Sequence, residues 1–458
     1  MLQLLLRNGK YVNSNGVFEG DIAVEDGRIV QIGFNLNFPA QKTIDVNGRY
    51  VLPGIIDAHV HLPWPSSSFD SVDDYESGSI AAAHGGVTTI IEYVVPDMDG
   101  GLAPALEKQR LLAAEKSYVD FSFHAILRKV TDETLAEMAE VVEMGFPSFK
   151  IYTAYDGFRL GDDEILKALT YARDLGALTC FHAEDGLLVN YAIEQHAITG
   201  STHVRYFPEG HPRLADVEGT HRVLAYARQL NARVHIVHVN TTEGAEMIRQ
   251  ARRDGLLATG ETCPQYLLFT ADVYKTGLPS ATFFVLAPAI REETDRSALW
   301  EAIKSNDLQM IATDHCPYTS EQKTRNELDY RKIPGGAAGI ETSLPLLFTN
   351  GVLTGRIPIE RLVDLMSTNP AKIFNLYPQK GVIAVGSDAD LVVLNLGTKS
   401  EIHASGLHSR IDSTIYEGQQ IQVQVDTVIS RGSVLVENCQ LSALRPDGKV
   451  VRRLPYSV

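Results

Sequence analysis

Two textures of hydrophobic patterning divide the chain. Over the first fifty residues, and again near the end, short runs alternate apolar and polar positions, which predicts half-buried strands. LQLLLRNGKYV (2–12) and DIAVEDGRIVQIG (21–33) are separated by the turn Asn-Ser-Asn-Gly at 13–16, and Asp26-Gly27 between two alternating runs is a hairpin signal. The texture returns in GSDADLVVLNL (386–396) and TVISRGSVLVENCQL (427–441). The two ends therefore predict one small β-sandwich, residues 1–50 plus 378–445, with 446–458 left as a C-terminal tail. No flexible linker or low-complexity stretch sets this unit apart, so it should pack tightly on what lies between.

The middle, 51–377, repeats an apolar run followed by an amphipathic segment. The runs are VLPGIIDAHVH (51–61), VTTIIEYVV (87–95), DFSFHAIL (120–127), PSFKIYT (147–153), LTCFHAE (178–184), VHIVHVN (234–240), LLATGETCP (256–264) and QMIATDHCP (309–317). DDEILKALTYARDLG (162–176) and TEGAEMIRQARRDG (242–255) keep apolar residues at helical spacing and end on glycine. Eight strands alternating with helices predict an α/β fold, a (β/α)8 TIM-type barrel that would use roughly 250 residues. Period alone leaves an open doubly wound sheet as an alternative.

The polar residues inside the apolar runs separate the two. In an extended segment residues two apart point the same way, so His59 and His61 present their imidazoles to one side. Lys150 lies in the fourth run, His182 and His238 near the ends of the fifth and sixth, and Asp314 near the end of the eighth. A closed barrel gathers those strand ends on one face, where the active sites of this fold sit. Taken singly, each has an ordinary reading: a hydrogen-bonded core histidine, a snorkelling lysine, an aspartate capping a helix. His124 and His235 keep that reading, as neither occupies a position the cluster needs. Taken together, the six select the closed barrel, and four imidazoles with oxygen donors suit a pair of divalent ions, zinc foremost.

Composition narrows the partners. Apolar residues make up 44% and charged residues 21% of the 458, the balance of an ordinary globular protein. A formal net charge of −16 argues against nucleic acid or an anionic membrane as partner. Cys180, Cys263, Cys316 and Cys439 are scattered without a CxxC, as in a reducing compartment. The start, MLQLLLRNGK, lacks the apolar core of a secretory leader, and no run approaches the ~20 residues of a membrane span. A cytoplasmic location is expected.

PGIIDAHVHL (53–62) resembles the Pro-Gly-x-x-Asp-x-His-x-His signature of amidohydrolases. SFKIYTAY (148–155), FHAED (181–185), IVHVN (236–240), ETCPQYL (261–267) and ATDHCP (312–317) resemble, in order and spacing, the set found in the hydantoinase/dihydropyrimidinase family, as do NPAKIFNLYPQKG (369–381) and GSDADLVVL (386–394). The resemblance implies hydrolysis of a cyclic amide, a hydantoin or dihydropyrimidine ring, to an N-carbamoyl amino acid by a homotetrameric enzyme. It implies two zinc ions: the more buried one on His59 and His61 with Asp314 in contact, the second on His182 and His238. Lys150, carbamylated by CO2, would bridge them. A lysine beside two cations is easily deprotonated, and the carbamate turns a repelled ammonium into an anionic ligand. A hydroxide shared by the ions would attack the ring carbonyl. Asp314 would take its proton and return it to the departing nitrogen, and Tyr155 would donate to the developing oxyanion. Asp57 reads as a structural group, not a ligand.

The substrate contacts depart from the family pattern. Ala-Pro-Ala-Ile-Arg (287–291) stands where Ser-Pro-Pro-Leu-Arg is common, and Pro-Gly-Gly (334–336) where Pro-Asn-Gly is common. Ala287 and Gly335 would hold the ring amide through main-chain groups. GGAAGIETSLPLL (335–347) is closer to allantoinases and L-selective hydantoinases, so the ring and its enantiomer stay open, with an allantoinase or another cyclic-ureide amidohydrolase as the alternative. A non-catalytic scaffold relative is the remote one, opposed by the filled ligand positions. The resemblance also implies an apolar lid over the ring substituent, here Trp64, Val94, Val95 and Phe158, with Pro63 and Pro65 stiffening the first loop and Arg159 near enough in sequence to bring a charge.

Overall fold

The computed structural model describes residues 1–64, 70–97 and 100–457, so Pro65 lies outside the described residues. From the N-terminal end come β1 (Leu2–Asn13), β2 (Gly16–Glu25), β3 (Arg28–Gly33), β4 (Ala40–Asp45) and β5 (Tyr50–Pro53). Asp26 (φ 47°) and Gly27 (φ 78°) both take the left-handed conformation that a two-residue hairpin turn between β2 and β3 requires. The first half of β1 pairs with β4, while Lys10 and Tyr11 pair with β5, so the sheet forks along β1.

The middle of the chain supplies eight parallel strands: β6 (Ile55–Val60), β7 (Val87–Val94), β8 (Asp120–Ile126), β9 (Ser148–Tyr152), β10 (Leu178–His182), β11 (Val234–Ile236), β12 (Ala258–Thr262) and β13 (Met310–Ile311). Each pairs with its sequence neighbour. The ring closes where Val60 bridges His315 and the His61 amide donates to the His315 carbonyl at 2.8 Å. Every residue of β6 to β10 is buried, which is why these strands read as continuous apolar runs. The expected helices span Asp162–Asp174 and Thr242–Arg253; the first buries Ile165, Ala168, Leu169 and Ala172, one stripe at helical spacing.

The C-terminal part returns to the first sheet as β14 (Leu391–Glu401), β15 (Gln420–Ser430), β16 (Ser433–Glu437) and β17 (Gln440–Leu441). The nine strands form one mixed sheet, in which β14 pairs with β5, around a core that includes Leu4, Leu6, Ile22, Val51, Leu391 and Val393. The strand expected over 51–61 is two strands, since Tyr50–Pro53 belongs to this sheet and Ile55–Val60 to the barrel. Gly54 is the crossing point: a Cβ there would meet Thr88 Oγ1 at 2.0 Å and Asp390 Cβ at 2.9 Å, so the passage is too narrow for any side chain.

Sheet and barrel are joined by buried charge at the N-terminal end of the barrel. The Lys380 ammonium lies 2.8 Å from Asp120 of β8 and 2.6 Å from Asp390, and Arg431 also reaches Asp120. Residues 446–457, expected as a plain tail, run beneath the barrel, where the Val451 amide donates to Phe121 O at 2.7 Å. Arg453 enters the barrel floor and donates to Ser122 Oγ at 3.0 Å and Ser148 Oγ at 2.8 Å. No helix among the described residues is long and apolar enough to cross a membrane.

Candidate active site

At the opposite, C-terminal end, the barrel strands deliver their polar residues to one cavity of about 360 Å³. His59 sits in β6 and His61 just beyond it, their ring centroids 5.1 Å apart. The chain turns sharply after β11 and β13, placing His238 (φ 39°) and Asp314 (φ 54°) in the left-handed region, and Tyr155 (φ 72°) after β9 does the same. Such a conformation costs a non-glycine residue roughly 1–3 kcal/mol and is held only where the surroundings dictate it. All three residues line the cavity.

Asp314 Oδ1 lies 3.1 Å from His59 Nε2 and 3.0 Å from His61 Nε2. The donor atoms of these three residues fall within 4.8 Å of one another, and His59 Nε2, although buried, makes no hydrogen bond of acceptable geometry. Across the cavity His182 Nδ1 stands 2.8 Å from His238 Nε2. Between the pairs, Lys150 is 1% exposed, its Nζ 4.4 Å above the Tyr93 ring and 5.1 Å from that of Tyr152. Burial lowers the Lys150 pKa to about 8 and that of His61 to about 4, which brings Lys150 closer to, and holds His61 in, the neutral form in which nitrogen binds a metal or CO2. Burial would raise the Asp314 pKa, but His59 and His61 hold it well below the usual carboxylate range. Three converging donors, a second histidine pair and a lysine that sheds its proton fit a pair of divalent ions.

Behind the histidines stand two carboxylates that sequence reasoning passed over. His59 Nδ1 meets Glu261 Oε1, whose other oxygen is 3.0 Å from His235 Nε2. His182 Nε2 meets Glu184 Oε2 at 2.8 Å, and Glu184 Oε1 is 2.9 Å from His211 Nδ1. A carboxylate behind an imidazole fixes its tautomer and raises its basicity towards a metal. Glu184 carried one faint signal, its place two residues after His182 in an extended segment. Glu261 carried none, since its partner lies 202 residues away. His124 and His235 are hydrogen-bonded core residues as expected, His124 with Ser148 Oγ at 2.7 Å and Ala58 O at 3.1 Å. Asp57 accepts from Thr313 Oγ1 at 2.6 Å and so ties β6 to the end of β13.

The Tyr155 phenol points into this network and donates to Glu184 Oε2 at 2.7 Å. Trp64 and Phe158 line the cavity and stack with centroids 5.7 Å apart, and Ala287 and Gly335 form its other side. Val94 and Val95 do not line it. They border a separate cavity of about 240 Å³, shared with Glu92 and with Ala105 and Lys108 of the helix Leu102–Lys116, so Val94 and Val95 meet the helix layer there. Val95 packs with the cluster holding Trp64 and Phe158, and Arg159 is exposed outside the cavity. A larger cavity of about 510 Å³ runs along His84 and His408, away from the converging donors.

Comparison with known proteins agrees with this geometry. The model of the amidohydrolase family matches residues 50–436. The D-hydantoinase of Ralstonia pickettii is 35% identical over 457 residues, 99% of this chain and all of that one. The crystal structure of dihydropyrimidinase from Brevibacillus agri superposes with a TM-score of 0.97 at 34% identity over the whole of both chains. That of the L-hydantoinase (dihydropyrimidinase) of Arthrobacter aurescens gives 0.92 at 30% identity, covering 99% of this chain and all of that one. With match and coverage of this extent, the chain belongs to the amidohydrolase family, among its hydantoinases and dihydropyrimidinases.

Proposed function

We propose that this hydrolase opens a five- or six-membered cyclic ureide or imide at a ring amide, releasing an N-carbamoyl amino acid. The observation that carries the reading is the meeting of His59, His61 and Asp314 with His182, His238 and Lys150 in one cavity. In this reading His59, His61 and Asp314 would hold one divalent ion and His182 and His238 the other, zinc in each case, and Lys150, carbamylated, would serve as a ligand to both. Such a pair supplies an activated water at neutral pH and polarises the ring carbonyl.

The chain's own residues do the rest. Asp314, held ionised beside His59 and His61, takes the proton of the attacking water and returns it to the departing ring nitrogen. Tyr155 donates its phenol proton to the oxyanion, exchanging its present acceptor, Glu184, for the substrate. Ala287 and Gly335 receive the ring amide through main-chain groups. Trp64 and Phe158 face the ring substituent and favour an aryl or alkyl group over a carboxylate, which would be desolvated there without a partner. A homotetramer in the cytoplasm completes the proposal.

The test is a turnover panel of metal-loaded protein on dihydrouracil, hydantoin, both enantiomers of 5-phenylhydantoin, allantoin and dihydroorotate. Ring opening of at least one, with about two metal ions per chain, is the expected result. A folded, metal-loaded protein that opens none would overturn the reading, and one that binds no metal would point to the scaffold.

A further inference from the structure

Ala287 and Gly335 reach the cavity on two separate segments of chain, and a single buried lysine joins them. The short helix Ser320–Thr324 opens with a reciprocal cap, in which Thr319 Oγ1 accepts from the Gln322 amide at 3.2 Å and Gln322 Oε1 accepts from the Thr319 amide at 2.8 Å. Lys323 points inwards from it and is 2% exposed. Its ammonium donates to Val285 O at 2.9 Å, two residues before Ala287, and to Pro334 O at 2.8 Å, the residue before Gly335. Val285 O also accepts from the Gly336 amide at 3.1 Å, so the two segments are tied at one point. The gap they bound is narrow: a Cβ built on Gly335 would stand 3.9 Å from both the Cβ and the nitrogen of Ala287.

Filling space does not explain this lysine. Among the described residues no carboxylate faces the ammonium; its remaining neighbours are the Tyr318 ring at 5.6 Å and the Cys316 thiol. Burying a cation without a counter-ion is costly, and burial here brings the pKa down to about 7. Methionine, of similar length, would occupy the same volume without that cost. What lysine adds is two N–H donors for two carbonyls, and the neutral amine keeps both.

We infer that Lys323 is a positioning residue that staples the 284–290 and 333–337 segments together and so sets the width of the slot that receives the ring amide. The inference rests on the reading of Ala287 and Gly335 as the walls that meet the ring. A wider slot would bind the planar amide loosely while leaving the metal-binding side of the cavity untouched.

Lys323→Met in the full-length, metal-loaded protein tests it, with backbone amide exchange as a readout independent of activity. The expected result is exchange at Gly336 at least about tenfold faster, with the melting temperature and metal content unchanged or higher. For whichever cyclic ureide the wild type opens, KM should rise about tenfold while kcat stays within about threefold. A role in stability alone predicts a different pattern, a lower melting temperature with faster exchange throughout the barrel. Either that pattern, or wild-type exchange and KM in the variant, would overturn the staple. If Lys323→Met does not fold, Lys323→Gln carries the test. Its amide is one bond shorter and reaches one carbonyl only, so exchange at Gly336 must quicken and KM rise, and wild-type values of both would count against the inference. A wild type that opens no cyclic ureide would remove the substrate reading, while the exchange result would still decide whether the staple exists.

Discussion

At the N-terminal end of the barrel Lys380, 1% exposed, is surrounded by Asp120, Asp388 and Asp390 within 3.2 Å, and Arg453, 2% exposed, spends its guanidinium on Ser122, Phe123 and Ser148. At the C-terminal end His59, Lys150 and His182 are buried as deeply, yet His59 Nε2 lacks a hydrogen bond and the Lys150 ammonium lies over two aromatic rings. Left-handed backbone is found there too, at Tyr155, His238 and Asp314. Both ends bear the desolvation cost of buried charge. At the base the protein's own groups offset it; at the rim they do so only in part. Burial of ionisable groups is therefore no mark of function here. What marks the site is burial left incompletely satisfied.

Substitutions at the two ends should accordingly fail in different ways. The largest effect is expected of Lys150→Ala, which would remove the group proposed to be shared by both ions. Activity should fall by about three orders of magnitude or more together with metal content, while added short-chain carboxylic acids restore part of both. Metal analysis and turnover with and without propionate measure it, and full activity without rescue would show that Lys150 is no ligand. Asp314→Asn keeps the shape and one oxygen donor but cannot carry the proton. It should retain metal nearly normally and lose roughly 10²–10⁴-fold in kcat. Loss of metal in proportion to activity would recast Asp314 as chiefly a ligand.

The base should answer in stability. Lys380→Met leaves three buried carboxylates short of a partner, and removing one member of such a buried cluster costs about 3–5 kcal/mol. Urea or thermal unfolding should show that loss, while kcat and metal content of the folded fraction stay at wild-type values. An activity defect in fully folded Lys380→Met would mean that the two ends are coupled and that the contrast drawn between them is too sharp.

The difference in legibility between the two ends has the same origin. The rim could be read because a histidine or aspartate inside an apolar run is conspicuous, and because a closed barrel brings strand ends together whatever their separation in sequence. The base could not. Lys380 and Arg453 lie in segments without periodicity, and the barrel residues they reach, Asp120 and Ser122, are 260 and 331 residues away. Glu261 was hidden for that reason, although it orients His59. Strand ends were also overextended: the apolar runs continue to 240 and 317, but the regular strands end at Ile236 and Ile311, short of the turns that carry His238 and Asp314. Val94 was misplaced because β7 is buried on both faces, so alternation says nothing about which residues point into the cavity.

The smallest effect is expected at the cavity mouth, where Trp64 stands between the two kinds of behaviour. Its ring stacks on Phe158 at 5.7 Å and an interplanar angle of 19°, yet it also packs edge-on against His61, a proposed ligand, at 4.4 Å. If Trp64 serves as a wall for the ring substituent, its value depends on the substrate. An aromatic pair is worth about 0.5–1.5 kcal/mol beyond the area it buries, and that area adds ~25 cal/mol per Å². Trp64→Ala should then lower kcat/KM for 5-phenylhydantoin about tenfold, or roughly 1.4 kcal/mol, and for unsubstituted hydantoin by less than about threefold. The advantage of 5-phenylhydantoin over dihydroorotate should shrink with it. If Trp64 instead steadies His61, both hydantoins must lose activity equally and metal content must fall. Measuring the two hydantoins side by side, with metal content on the same preparations, separates a residue that meets the substrate from one that supports the metal, and an equal loss would move Trp64 from the first group to the second.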